Sequence, residues 1–244
     1  MTRTTPRRPR PSVAVLAATL VLVVVGLLAA GPAWAGQVRF GVFVGNNLGQ
    51  PGDVPLMFAR ADAEKMRDLF MTYGDMRSGD AVLVLDGTAN QVRRAVEQLA
   101  SKVRKEQANG HETTLVFYYS GHGDADALHL GTTALEHTAL RAWLDGSGAD
   151  VRLALVDACQ SGGLVRKKGG VRGPSFDFGV EVEKTRGTAV LTSSAASELS
   201  QESIEVGGGF FTHYLHTALS GGADRDQDGM VTLTEAYAYV HTET

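Results

Sequence analysis

Short apolar strands alternate with amphipathic helical segments along most of this chain. Runs rich in Val, Leu and Phe have the length of buried strands at residues 37–45, 81–85, 114–119, 151–156 and 188–192. Helical periodicity fills the intervals between them, for example over residues 58–70 and 92–103. Because parallel strands need such crossover helices, we predict an α/β fold with a mostly parallel sheet and helices on both faces.

The composition excludes several classes of chain. Hydrophobic residues make up 43% and charged residues 20% of the 244 positions, which excludes a disordered, collagen-like or coiled-coil protein. The net charge of −4 argues against a nucleic-acid partner, because there is no surplus of Lys and Arg to face phosphates. The single cysteine, Cys159, excludes an internal disulfide and a cysteine-based zinc cluster, and we expect no organic cofactor.

The N-terminus has the pattern of an export signal. A segment with four arginines and no acidic residue precedes an apolar run over 13–30, and a small-x-small cleavage site follows at 33–35. We therefore predict a signal peptide at 1–35, a mature domain at 36–244, and a periplasmic or secreted protein. The alternative is an uncleaved anchor, and only then would a membrane be a partner. This run is at the lower limit of length for spanning a membrane.

Two of the predicted strands are each followed at once by a residue suited to catalysis. His122 comes after strand 114–119, and Cys159 comes after strand 151–156. The carboxyl ends of parallel strands line the binding crevice of open α/β sheets, so we expect the two side chains to meet there. Covalent acyl transfer needs this pair, because the thiolate attacks a carbonyl and the imidazole protonates the leaving amine. The backbone N–H groups of Gly123 and Cys159 are the expected oxyanion donors.

The strings around these residues, YYSGHG and LVDACQSGG, resemble those of the caspase-like cysteine peptidases (peptidase family C14), specifically the metacaspase-type bacterial branch. The resemblance extends over residues 38–240 and includes RFGVFVGNN near its start and GGGFFTHYLHTAL near its end. It implies a caspase-like three-layer sandwich, His122 and Cys159 as the catalytic dyad, and a peptide or protein substrate. It also favours a monomer, because caspases dimerise and metacaspases mostly do not.

Two acidic residues occupy positions that the resemblance assigns to the specificity pocket. Asp62 is similar in place to the metacaspase pocket acid, and Asp157 replaces the usual caspase glutamine two residues before the cysteine. The caspase pocket arginine would lie near Leu56, where none stands, although Arg60 is close by. Paired carboxylates would bind a basic side chain, which predicts cleavage after Arg or Lys. The alternatives are a solvent-exposed charge on the helix for Asp62 and a loop-tying hydrogen bond for Asp157.

A basic, glycine-rich segment at 164–187 follows the cysteine. Two interpretations of this segment remain open. It is either a solvated surface loop, which is the usual role of such a composition, or a site of self-cleavage at basic residues, which the family resemblance implies.

The acidic segment 224–235 fits the twelve-residue calcium loop of an EF-hand. The expected oxygen ligands at loop positions 1, 3, 5, 7, 9 and 12 are Asp224, Asp226, Asp228, the carbonyl of Met230, Thr232 and Glu235. Gly229 stands at position 6, where the loop turns sharply, and helices are predicted on both sides. We therefore predict a bound Ca²⁺, with an Asp-rich turn and a helix cap as the alternative. The family resemblance does not itself supply this site.

Together these features predict an exported cysteine endopeptidase that cleaves after Arg or Lys. One alternative is a catalytically silent caspase-like module that binds a partner and is stabilised by calcium. Another is a relative of the gingipain or legumain type, which substrate preference would distinguish because those peptidases differ in the pocket. The histidines other than His122, among them His129, are assigned structural or surface roles.

Overall fold

The computed structural model describes residues 36–158, 187–193 and 202–243. The predicted signal peptide, Cys159 and the basic segment up to residue 186 lie outside the described residues. In the described part of the chain, no helix combines the length and the apolar character that crossing a membrane requires.

Among the described residues, a five-stranded sheet forms the central layer. Its strands are β1 (Gln37–Gly45), β2 (Ala81–Leu85), β3 (Glu112–Ser120), β6 (Val151–Asp157) and β7 (Gly187–Thr192). They lie in the order β2-β1-β3-β6-β7, and every neighbouring pair is parallel. The parallel sheet predicted from the apolar runs is therefore confirmed.

The described helices connect these strands or cover the sheet. They are α1 (Ala59–Thr72), α2 (Ala89–Ala108), α3 (His137–Gly146), α4 (Phe210–Thr217), which a π-helical turn (Ala218–Gly222) extends, and α5 (Leu233–Glu243). In the part of the chain that the structure describes, two short antiparallel hairpins lie outside the main sheet. One joins β4 (Ala127–Leu130) to β5 (Thr133–Glu136), and the other joins β8 (Glu202–Ser203) to β9 (Gly208–Gly209).

Successive side chains of the central strand β3 point to opposite faces of the sheet, and each face packs against a different outer layer. Leu115 and Phe117 face one side, in a buried cluster that α2 completes with Leu99. Val116 and Tyr118 face the other side, in a second buried cluster that receives residues from α1, α4 and α5. A sheet that buries both faces needs helices on both, so the fold is the three-layer α/β sandwich that the sequence predicted.

The carboxyl ends of β3 and β6 lie in register. The ladder pairs Ser120, the last residue of β3, with Asp157, the last residue of β6. Beyond the strands, the Gly121 N–H donates to the Asp157 carbonyl oxygen at 3.1 Å. Since paired strands lie ~4.8 Å apart, the segments that lead to His122 and toward Cys159 leave the sheet side by side.

Candidate active site

His122 lies just beyond β3, and its imidazole contacts the loop that follows β1. Its Nε2 atom is 2.7 Å from the carbonyl oxygen of Val54. A carbonyl oxygen only accepts, so this hydrogen bond requires the proton to be on Nε2. Nδ1 then carries the free lone pair, and it is the nitrogen that can take a proton from a thiol.

The loop between β1 and α1 reaches His122 because its own side chains fold it back. Oδ1 of the buried Asn46 accepts the N–H groups of Leu48 and Gly49 at 3.1 and 2.9 Å. Gly49 has a φ of +63°, and a Cβ there would lie 2.7 Å from the His122 ring and 2.4 Å from the Asp53 carboxylate. Only glycine combines this conformation with so close an approach, so Gly49 allows the loop to contact the imidazole.

The other end of the same loop is held by Glu202 of β8. The two carboxylate oxygens of Glu202 accept the N–H groups of Met57 and Phe58, each at 2.8 Å. These groups lie at the N-terminus of α1, where a carboxylate satisfies free donors and complements the helix dipole. The hairpin β8–β9 is thereby attached to the start of α1.

The backbone of His122 is fixed by Tyr119 of β3. The Tyr119 hydroxyl oxygen is 2.6 Å from the His122 carbonyl oxygen and 2.7 Å from that of His129. A Cβ at Gly121 would lie 2.4 Å from this hydroxyl, so a larger residue would displace Tyr119. Gly121, the first glycine of the YYSGHG string, therefore leaves room for the Tyr119 hydroxyl, which orients the backbone of His122.

The residue that precedes Cys159 is held by the end of β7. The Ala158 N–H donates to Ser193 Oγ at 3.1 Å, and Ser193 Oγ donates to the Ala158 carbonyl oxygen at 3.3 Å. Ala158 is fully buried. The backbone is thus fixed up to the residue before the predicted nucleophile, and the thiol itself lies outside the described residues.

Gly123, a predicted oxyanion donor, lies in an isolated antiparallel bridge opposite Leu128. Two hydrogen bonds make this bridge, from His129 N–H to the His122 carbonyl and from Asp124 N–H to the Ala127 carbonyl, both at 2.9 Å. Neither of these bonds uses the Gly123 N–H.

Asp62 and Asp157 are buried neighbours beneath the β8–β9 hairpin. Only 1% of Asp62 and 3% of Asp157 is exposed. The Gly209 N–H donates to Asp62 Oδ2 at 3.0 Å, and Thr212 Oγ1 donates to Asp157 Oδ2 at 2.7 Å. A Cβ at Gly209 would meet both carboxylates, at 3.5 and 2.5 Å. The structure therefore brings the two predicted pocket acids together, and the alternative of a solvent-exposed charge at Asp62 is wrong.

The buried Asp62 carboxylate is incompletely compensated. Burial above all raises the pKa of Asp62 to about 7, and the negative charge of Asp157 acts in the same direction. The Gly209 N–H and the Lys65 ammonium oppose this shift. Among the described residues, Asp62 Oδ1 has no hydrogen-bond donor; Lys65 Nζ, on a side chain that is 44% exposed, is 3.7 Å away. Asp62 Oδ1 is therefore a buried carboxylate oxygen that has an ion-pair partner but no hydrogen-bond donor among the described residues.

Arg60 is the basic residue nearest to the position where the caspase pocket arginine would lie. Its guanidinium lies 3.2 Å from Asp86 Oδ2, at the end of β2, and half of the Arg60 side chain is exposed. The Arg60 charge is thus paired with Asp86.

The acidic loop before α5 gathers three of its six predicted calcium ligands. Carboxylate oxygens of Asp224, Asp226 and Glu235 lie within 4.8 Å of one another. Gly229 has a φ of +84°, and α5 begins at Leu233, the tenth position of the loop. These features fit an oxygen-ligated cation.

A helix cap is also present in this loop. Thr232 Oγ1 accepts the Glu235 N–H at 3.2 Å, and Glu235 Oε2 accepts the Thr232 N–H at 2.9 Å. The Asp228 carboxylate accepts the Met230 N–H at 2.8 Å. The geometry is therefore compatible with both interpretations of the loop.

Several residues of the site were not predicted from the sequence. Ser193 follows strand β7 directly, as His122 follows β3, so its place at a strand end was a usable signal. Thr212 and Glu202 are 55 and 144 residues from the groups they bond, and no local pattern connects them. Val54 acts through a backbone carbonyl, which its side chain does not reveal.

Comparisons with known proteins agree with this fold. The family model described as caspase domain matches residues 39–244. Among solved structures, the chain is similar to caspase-1 from Spodoptera frugiperda, with a TM-score of 0.59 and 14% identity, over 86% of this chain and 77% of that chain. At this identity the likeness concerns the fold alone. No curated protein matches the chain by sequence.

The raised pKa of Asp62 makes a testable contribution to stability. The pKa of the Asp62 carboxyl is about 7 in the folded protein, above its ordinary value of 3.8, so its protonation favours the folded state. Its contribution to the free energy of unfolding is complete below pH 3.8 and is lost as pH rises through 7. We expect Asp62→Asn, which does not titrate, to gain stability relative to the wild type from pH 4 to pH 8 in urea unfolding. Asp68→Asn, an exposed change on the same helix, is the control. Parallel curves for the wild type and Asp62→Asn would contradict the assignment.

Proposed function

The chain belongs to the caspase domain family of cysteine peptidases, and from that premise we propose that it is an exported endopeptidase that cleaves proteins after Arg or Lys. The observation that carries the proposal is the alignment of three features at one edge of the sheet. They are the oriented His122, the fixed backbone that leads into Cys159, and the buried carboxylates of Asp62 and Asp157.

In the proposed mechanism, Cys159 is the nucleophile and His122 is the general acid and base. His122 Nδ1 takes the thiol proton, and the thiolate attacks the scissile carbonyl carbon. The tetrahedral oxyanion accepts hydrogen bonds from the N–H groups of Gly123 and Cys159. His122 then gives its proton to the leaving amine, and water hydrolyses the thioester with His122 again as base. The Val54 carbonyl supports this role by holding the opposite nitrogen.

The proposed preference for basic residues rests on Asp62 and Asp157. Burying a carboxylate is costly unless a cation or a donor compensates it. Lys65 Nζ, 3.7 Å from Asp62 Oδ1, compensates this oxygen only in part, and a guanidinium or ammonium group from the substrate would add the hydrogen bond that Oδ1 lacks among the described residues. Binding of such a group requires Asp62 to be ionised, so the pKa of about 7 couples substrate binding to pH.

Fluorogenic peptides that end in Arg, Lys or Asp test both parts of this proposal. We expect cleavage after Arg and Lys that is abolished in Cys159→Ala, with kcat/KM rising as pH increases to about 7 because Asp62 must ionise. Asp62→Asn should lower kcat/KM for Arg peptides about 10-fold to 100-fold, the value of a charged hydrogen bond. The matched control, Asp68→Asn, should leave it unchanged.

Each part of this proposal has its own contradicting result. Preference for Asp peptides would overturn the pocket assignment but keep the dyad, and activity in Cys159→Ala would overturn the dyad. A folded protein that cleaves none of the peptides would favour the silent calcium-stabilised module. A gingipain- or legumain-type relative would keep the cysteine dependence but not respond to Asp62→Asn.

We also propose that the loop at 224–235 binds Ca²⁺. The convergence of Asp224, Asp226 and Glu235 supports this proposal, as does the left-handed Gly229 at the sixth position. The ion would fix the start of α5, whose buried Val240 belongs to the core beneath α1. This supports a structural rather than a catalytic role for the ion.

Thermal unfolding with and without Ca²⁺ tests the loop. We expect a Ca²⁺ concentration ~100-fold above Kd to raise Tm by about 5 to 10 °C, because an ion that binds only the folded state stabilises that state. Glu235→Gln should remove this response but retain the helix cap, since glutamine caps equally well. Glu243→Gln, at the exposed end of the same helix, should respond like the wild type. A shift that survives in Glu235→Gln would contradict the site.

Export is the third part of the proposal, and it rests on the sequence of residues 1–35. Expression of the full chain in a bacterial host should yield periplasmic or secreted protein that begins at Gly36, because signal peptidase cuts after the small-x-small site. A chain that starts at residue 36 should remain in the cytoplasm. An intact N-terminus in the membrane fraction would instead establish the uncleaved anchor.

A further inference from the structure

His129 is held between two carboxylates beside the candidate active site. Its Nδ1 atom is 2.7 Å from Asp53 Oδ2, and its Nε2 atom is 3.1 Å from Asp124 Oδ2. Only 13% of the His129 side chain is exposed. We call this arrangement the His129 clamp, which consists of Asp53, His129 and Asp124.

The clamp requires a charged imidazole. Ionised carboxylates only accept hydrogen bonds, so both ring nitrogens of His129 can be satisfied only when both carry protons. Burial by itself would lower the pKa of His129, but the hydrogen bonds and charges of Asp53 and Asp124 outweigh burial and raise it. The pKa values of Asp53 and Asp124 are lowered in turn, although burial alone would raise them.

Both ends of the clamp connect to His122. Asp53 is the residue before Val54, whose carbonyl binds His122 Nε2, and Asp53 Oδ2 also accepts the Gln50 N–H at 2.6 Å. Asp124 lies two residues after His122 and accepts the N–H groups of the next turn through Oδ1. The backbone N–H of His129 donates to the His122 carbonyl oxygen at 2.9 Å. The clamp thus joins the loop that carries the Val54 carbonyl to the turn that carries His122.

We propose that His129 is a positioning residue for catalysis: as a cation between Asp53 and Asp124, it holds the Val54 carbonyl against His122 and so fixes Nδ1 as the base. This inference rests on the proposed peptidase function of the same site. Neutral His129 can donate only one of its two hydrogen bonds, so it loses its side-chain bond either to Asp53, on the Val54 loop, or to Asp124, on the His122 turn.

The surrounding groups define the pH range of the clamp. Tyr119 stays neutral, because burial and the charge of Asp53 raise its pKa well above 10.0. From the β4–β5 hairpin and the start of α3, the nearby titratable groups are Asp126, Glu136 and His137, and burial lowers the pKa of His137. The clamp is complete above the lowered pKa values of Asp53 and Asp124, and it is lost as pH rises through the raised pKa of His129.

Kinetics of His129→Gln test the role of the clamp, because glutamine fills the space without the charge. We expect kcat for Arg peptides to fall about 10-fold to 100-fold, the cost of slight misplacement of a catalytic group. KM should change little, because Asp62 and Asp157 are untouched. In the wild type, kcat should fall as pH rises through the raised pKa of His129. The pH profile of His129→Gln should lack this fall. His111→Gln, which removes a His–carboxylate pair at the opposite edge of the sheet, is the control.

Imidazole ¹⁵N spectra provide a test that does not depend on activity. In Cys159→Ala protein, we expect His129 to keep both nitrogens protonated to a pH above the ordinary imidazole pKa of 6.5, and the neutral form of His122 to have its proton on Nε2. Adding His129→Gln should convert His122 to a mixture of tautomers, whereas adding His111→Gln should not. Loss of the second His129 proton at a pH below 6.5, or an unchanged His122 tautomer in His129→Gln, would overturn the inference. If the wild type cleaves no peptide, the proposed function fails, and these spectra still decide whether His129 positions His122.

Discussion

The parallel pairing of β3 with β6 is the constraint on which the rest of the site depends. With Ser120 opposite Asp157, each strand ends at the same height, and His122 and Cys159 each follow two residues later. A shift of one residue in this register would turn the alternating side chains of one strand to the opposite face of the sheet. The two apolar clusters fix the register, because each face of β3 is buried by a different set of helices.

Two groups of carboxylates lie at this edge of the sheet, and they differ in how their charge is compensated. In the first, His129 lies between Asp53 and Asp124 and bonds to both, so the charge is compensated within the protein. In the second, Lys65 Nζ lies 3.7 Å from Asp62 Oδ1, and this buried oxygen has no hydrogen-bond donor in the described chain. Burying such an oxygen costs free energy in the unliganded protein, and a cationic substrate would recover it. We therefore propose that the first group positions the catalytic histidine and that the second recognises the substrate.

The sequence predicted the architecture well because its signals are local. Apolar runs and helical periodicity located the strands and helices, and the strand-end position of His122 followed from them. The pairing of Asp62 with Asp157 was predicted only through a family resemblance, since 95 residues separate them and no periodicity connects them. The function of His129 was missed because its partners, Asp53 and Asp124, come from two different loops that only the folded chain brings together. The Val54 carbonyl was missed because a backbone group has no signature in a sequence.

We propose that Cys159, the oriented His122 and the acidic pocket act together at one edge of the sheet. The most direct measurement is covalent labelling by peptidyl chloromethyl ketones that end in Arg or in Asp, followed by intact mass and peptide mapping. We expect one adduct per chain, on Cys159, that forms much faster with the Arg reagent than with the Asp reagent, and slower labelling in Asp62→Asn. Equal labelling by both reagents, or no adduct on folded protein, would contradict it.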